Sequence, residues 1–347
     1  MTKTGNGISI LLLFAVLLGL AMGTYFPASG QKLLPFTEPL VVTLLLLLFF
    51  ELPLKPLHKA TLNRNFILLA WVANFILIPL IGWGIASFIF GDQPMIFVGL
   101  LLYFLFPCTD WFLAFTRIAK GDTALGSVLI PINLISQLLL FPLYLTILVG
   151  SKTVFDLDGM WGTLVGWFLF PLFGALFLRI LLTRFLPTGF FDSITSFAGY
   201  LVPWVLSALV FCIFSSNTHQ LTAYSAEVPQ ILFAVFLFFL SSWFMGELLA
   251  RYFRLTHPQY VLLAMTTAAR NSPLILGLAT IALPDQPLVY AALIIGMLLE
   301  FPHLTVLSRI LQQQISRISS LQRNPKLKRT FTLNNPQKNN YENCVCI

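Results

Sequence analysis

Apolar residues in this chain do not alternate with polar ones; they form long runs separated by short polar or basic turns. A run of about 20 apolar residues spans the hydrocarbon core of a bilayer as a helix. Ten such runs are read, over roughly 8–26, 37–54, 66–90, 94–118, 122–149, 160–182, 196–214, 228–250, 258–283 and 287–310. Two are interrupted. The fourth contains Phe106-Pro107-Cys108-Thr109-Asp110-Trp111, and the ninth contains Ala269-Arg270-Asn271-Ser272-Pro273. Proline lacks a backbone donor and frees carbonyls in the turn before it, so Pro107 and Pro273 are read as helix breaks.

Composition agrees with the pattern. Of the 347 residues 58% are hydrophobic and 10% charged, against roughly 25% charged in a soluble domain. The fold class is therefore an all-α polytopic membrane protein. Lys3 ahead of an apolar run ending at Ala21-Met22-Gly23 also has the form of a signal peptide, but the length of the run favours a retained helix. Seventeen of the 20 Lys and Arg residues fall at the two termini and in the loops around Lys55, Arg117, Arg179 and Arg251. Lys32 and Lys152 alone lie on the opposite face, with Asp92, Asp156, Asp158, Glu227 and Asp285. That asymmetry places both termini in the cytoplasm, and the setting read is a plasma membrane of the bacterial inner-membrane type. The net charge of +7 is then a topology signal, and no nucleic-acid partner is expected.

The ten spans divide into two halves. Phe141-Pro142 in span 5 and Phe301-Pro302 in span 10 are separated by the same 160 positions as Asp110 and Arg270. Five spans per half is odd, so the halves must be inverted, the sign of a secondary transporter with its site near the midplane. The transporter domain is assigned to 1–311, as repeats of about 1–150 and 151–311. Residues 312–347 are read as a disordered basic tail, whose first part is able to lie along an anionic leaflet. The terminal Cys344-Val345-Cys346-Ile347 has the form of a prenylation box or a soft-metal pair, and two incidental thiols are the plainer reading.

Charged groups inside a bilayer are costly and tend to mark transport paths. Asp110, Arg270 and Glu300 lie well inside spans, and His303 follows Glu300 by one turn. Asp110 and Arg270 are read as a pair across the two breaks, serving either a substrate or a structural clamp. Thr109, Asn271 and Ser272 are further candidates for binding substrate. Glu300 with His303 is the candidate coupling site. Cys108 beside the break is either a buried small hydrophobe or a soft ligand for a metal or metalloid. No nucleotide loop, nucleophile elbow or zinc signature occurs, so neither an enzyme nor a bound cofactor is expected.

The run from Cys108-Thr109-Asp110-Trp111 to Ala119-Lys120-Gly121-Asp122 resembles the fourth helix of arsenite permeases of the arsenical-resistance type. Thr267-Ala268-Ala269 with Asn271, and Glu300-Phe301-Pro302, resemble the ninth-helix break and tenth-helix glutamate of that family. The family belongs to the bile acid:sodium symporter superfamily, and the likeness runs through nearly the whole chain. It implies a panel domain of spans 1, 2, 6 and 7, and a core domain of spans 3–5 and 8–10 in which spans 4 and 9 cross. It also implies that Cys108 contacts trivalent arsenic, with Glu300 assisting. This chain departs from the arsenite pattern at Pro107, where arginine is usual, and at Arg270, where glycine is usual.

The function expected is secondary active transport by alternating access: proton-coupled efflux of arsenite or antimonite, with Cys108 on the metalloid. A sodium-coupled symporter of an organic anion, whose carboxylate meets Arg270, is the alternative. A membrane receptor or scaffold signalling through the basic tail is the alternative of another class.

Overall fold

A computed structural model describes residues 2–51, 63–109, 111–144, 146–147, 157–185, 187–223 and 225–323. The described residues are helical, with no β-strand among them. In chain order the helices are α1 (Thr2–Tyr25), α2 (Pro27–Gln31), α3 (Thr37–Glu51), α4 (Arg64–Val72) and α5 (Ile78–Phe90). The two segments of the first broken span are α6 (Pro94–Leu105) and α7 (Trp111–Ile118), and α8 (Thr123–Tyr144) follows. Next come α9 (Leu157–Phe185), α10 (Thr188–Ser216), the short α11 (Thr218–Ala223) and α12 (Val228–Tyr252). The second broken span gives α13 (His257–Ala268) and α14 (Ser272–Ala282), and the chain ends in α15 (Pro287–Arg323).

Five stretches are long and apolar enough to cross a membrane on their own: Pro27–Glu51, Arg64–Phe90, Gly189–Ser216, Ser225–Tyr252 and Pro287–Gln314. This is a multi-pass membrane protein. Two of the ten expected spans are divided by the breaks. Segments of 12 and 8 residues reach about 18 and 12 Å at 1.5 Å per residue, so each needs its continuation to cross a core about 30 Å thick. The last helix also runs past the Gln312 boundary assigned to the tail and continues to Arg323. Cys344 and Cys346 lie outside the described residues, as do Lys55, Lys59 and Lys152.

The helices pack as two groups. Helices α1, α3, α9 and α10 lie against one another, while α5, α6, α12, α13 and α15 form the other body. The groups meet where α14 lies on α3 and α9, and where α1 lies on α15. Within the second group α6 and α15 approach very closely. A Cβ on Gly99 would stand 2.6 Å from the Val289 carbonyl oxygen, a backbone atom that cannot move aside.

Basic loops converge on one face. The Asp122 carboxylate caps α8 by accepting the Leu125 N–H at 3.0 Å, and its own N–H donates to the Pro258 carbonyl at the start of α13. Between these, Gly121 packs so closely on Val261 and Thr116 that a Cβ would stand 2.7 Å from each. The Gln312 amide donates to the Ile118 carbonyl at the end of α7, and the Arg179 guanidinium donates to the Phe50 carbonyl at the end of α3 at 3.0 Å. Cations at helix C-termini are favourable both for the orphan carbonyls and for the helix dipole.

Substituting Gly99→Ala is expected to destabilise the detergent-solubilised protein by about 1–3 kcal/mol, the usual cost of overpacking. The check is the melting temperature; an unchanged value would contradict the close α6–α15 approach.

Candidate functional site at the helix crossing

Helices α6 and α13 each end in an extended segment, and the two segments meet. Pro107 and Arg270 stand opposite each other in an isolated antiparallel bridge. The bonds on either side are Cys108 N–H to the Ala269 carbonyl at 3.0 Å and Asn271 N–H to the Phe106 carbonyl at 2.9 Å. In this register the facing pair makes no hydrogen bonds to each other, and its own N–H groups point outward. Proline lacks that N–H, so Pro107 fits the position without loss. Arg270 does have one, and it donates to Glu300 Oε1 at 2.9 Å.

At the bridge Arg270 stands opposite Pro107, 163 positions away rather than the 160 that separate it from Asp110. Asp110 itself lies outside the described residues. The second proline is also placed differently: the break spans Ala269 to Asn271, and Pro273 sits in the first turn of α14. There a missing N–H costs nothing, so Pro273 starts a helix and breaks none. Cys108 is part of the extended bridge, three residues before α7 begins, and is 1% exposed.

Arg270 is completely buried. One terminal nitrogen donates to the Phe104 carbonyl at 3.0 Å. The other reaches the Thr266 carbonyl at 3.0 Å, the Thr267 carbonyl at 2.6 Å and the Asn74 side-chain oxygen at 3.4 Å. These carbonyls belong to the last turns of α6 and α13, which have no helical donors of their own. Bonds to a charged group contribute about 1.5–3 kcal/mol each, which offsets the several kcal/mol that burying an ion costs. The Phe238 ring centroid lies 5.6 Å away and completes the enclosure. Both terminal nitrogens are thus committed to protein oxygens. The guanidinium Nε makes no hydrogen bond among the described contacts.

Asn74 is set by a proline too. Pro79 lacks the N–H that would bond the Phe75 carbonyl, and Ala73–Leu77 opens into a π-helical turn between α4 and α5. The Tyr144 hydroxyl takes the released Phe75 carbonyl at 2.5 Å. Asn74, at the same turn, bridges Arg270 and the Thr266 hydroxyl, to which it donates at 3.1 Å.

Glu300, 1% exposed, reaches the crossing from α15. Besides the Arg270 amide it accepts the Ser272 hydroxyl at 3.0 Å, so its carboxylate lies at the N-terminal end of α14, where negative charge is favoured. The Tyr103 hydroxyl and the Cys108 thiol lie in the same electrostatic neighbourhood. Asn271 donates to the Thr109 hydroxyl at 3.3 Å and to the Gln137 oxygen at 3.4 Å, and the Asn133 amide donates to Thr266 at 3.3 Å. Thr109, Asn271, Ser272, Arg270, Cys108 and Glu300 are therefore gathered in one place. His303 is not with them. Its ring stacks on Phe239 of α12 with centroids 4.0 Å apart.

A cavity of about 320 Å³ opens where the two helix groups meet, on the face opposite the basic loops. It is lined by Glu38, Val41, Asn217, Thr280, Asp285 and Tyr290 among others. Thr280 is two turns along α14 from Ser272, about 12 Å, and in between Gly277 lies against Leu45 and Val41 of α3. The cavity lining thus ends about two turns short of the crossing along α14.

By sequence, residues 38–224 match the model of the sodium bile acid symporter family, slightly more than half of the chain. The chain belongs to that family. The match takes in α3 through α11 and the first half of the crossing, and ends before Arg270 and Glu300. Membership makes the chain a transporter of the sodium-coupled or related kind. No curated protein matches it.

Glu300→Ala leaves the Arg270 N–H and the Ser272 hydroxyl without acceptors, each costing about 1–3 kcal/mol. A large fall in melting temperature is expected, with Glu300→Gln, which keeps one acceptor oxygen, falling less. Equal stability of the two variants would contradict the bonding pattern.

Proposed function

We propose that this protein is a secondary active transporter in which α6–α7 and α13–α14 hold the solute site and Glu300 carries the coupling proton. The helices divide in function as they pack: α1, α3, α9 and α10 serve as a panel against which the remaining body rocks, opening the crossing to either face in turn. Both termini are on the cytoplasmic side of a bacterial-type inner membrane, following the basic loops.

The observation that carries this reading is the separation of opposite charges at the crossing. Arg270 is compensated by carbonyls and one amide oxygen, and Glu300 touches the Arg270 backbone but not its guanidinium among the described contacts. Glu300 can therefore gain or lose a proton without stranding the cation. Buried carboxylates of this kind serve as proton relays in transporters.

Trivalent arsenic is the first solute to test, because the Cys108 thiol is built into the bridge between the two breaks and thiolate suits a soft metalloid. Everted membrane vesicles carrying a proton gradient, inside acidic, are expected to accumulate arsenite above vesicles lacking the protein. Cys108→Ser is expected to lower that uptake at least about tenfold, a loss of roughly 1.4 kcal/mol in the rate-limiting step. Glu300→Gln should abolish its dependence on the gradient. Absence of uptake would dismiss the metalloid, and gradient-dependent uptake by Glu300→Gln would dismiss Glu300 as the coupling group.

A further inference from the structure

The family name raises the question of where a coupling sodium would sit. Hard cations are held by carbonyl, carboxylate and amide oxygens. In transporters with broken helices, the C-terminal ends of the half-helices and unwound carbonyls provide them. Such a set exists here: the Phe104 carbonyl at the end of α6, the Thr266 and Thr267 carbonyls at the end of α13, and the Asn74 side-chain oxygen at the π-helical turn. All four already hold the Arg270 guanidinium, itself completely buried. A sodium ion placed among them would be within contact of a fixed positive charge.

We propose that Arg270 is a tethered cation occupying a coupling-ion site, so that this chain neither binds nor needs sodium at the crossing. The oxygens at the two half-helix ends require a positive partner in either conformation of the cycle. An ion supplies it transiently and leaves with the solute. A side chain supplies it permanently, and then no ion gradient is spent at that site. The charge stays while the solute moves, and Glu300 beside it remains free to titrate.

Two further features bear on this. The Arg270 backbone is fixed by Glu300 and by the neighbouring bridge bonds, so the guanidinium has a rigid base from which to reach the cage. The ring of Phe238 is stacked on Phe104 with centroids 4.2 Å apart and closes the side of the cage that the oxygens leave open. Arg270→Ala removes the charge and leaves the oxygens, creating a cavity suited to a small hard cation.

The inference rests on the transporter reading, but its test measures stability and needs no solute. The full-length protein in detergent is melted in sodium chloride and in choline chloride at equal ionic strength. The wild type is expected to melt at the same temperature in both. Arg270→Ala is expected to melt lower in choline and to recover by at least about 2 °C in sodium, since a ligand that binds only the folded state stabilises it. Arg270→Lys, which keeps a charge in the cage, is expected to ignore sodium as the wild type does. Sodium-specific stabilisation of the wild type or of Arg270→Lys would overturn the proposal. So would an Arg270→Ala protein that ignores sodium or is unfolded in both salts. Failed arsenite uptake with these melting results intact would dismiss the solute and not the tethered cation.

Discussion

Inside a bilayer, a helix that stops leaves carbonyls and amides that water cannot reach, and every one of them must find a partner in the protein. This protein stops two helices at the same place. The extended segments around Pro107 and Arg270 satisfy part of the demand by bonding to each other across one antiparallel bridge. What the bridge leaves over is divided by charge. Carbonyls at the ends of α6 and α13 go to the Arg270 guanidinium, and donors at the start of α14 go to the Glu300 carboxylate. The remaining polar side chains of the core extend the same network, as Asn74, Asn133, Gln137 and Asn271 each tie one helix to another.

This arrangement explains why the charges are where they are. A lone arginine in hydrocarbon would be expensive, and so would three main-chain carbonyls and an amide oxygen without donors; together they cancel most of each other's cost. It also gives the two halves unequal roles. At the bridge position the first half has a proline, which makes no demand, and the second an arginine with a backbone N–H that recruits Glu300. Among the described residues the crossing holds one arginine and one glutamate, each compensated by partners of its own.

Much of this was legible in the chain. Apolar runs marked the helices, the two prolines marked the breaks to within a few residues, and the intramembrane charges marked Arg270 and Glu300. Other parts were hidden for physical reasons. The partners of Arg270 are mostly main-chain carbonyls, which have no sequence signature. The register of 163 rather than 160 depends on where each helix stops, which a run of apolar residues does not show. Pro273 starts α14, and only backbone geometry distinguishes a proline that opens a helix from one that ends it. Asn74 could have been found: a single amide in an apolar run, five residues before Pro79, is the pattern of a helix with a wide turn and a polar task. The stacking of His303 on Phe239 joins two helices distant in sequence, which no pattern in the chain announces.

The central claim is that the amides of Cys108, Arg270 and Asn271 are bonded within the protein at the crossing, and amide hydrogen exchange measures it directly. With the protein in lipid nanodiscs, the amides of Cys108, Arg270 and Asn271 are expected to exchange as slowly as those in the middle of α6 and α13. Exchange within seconds at these three amides, with the flanking helices still protected, would contradict the bridge and the account built on it.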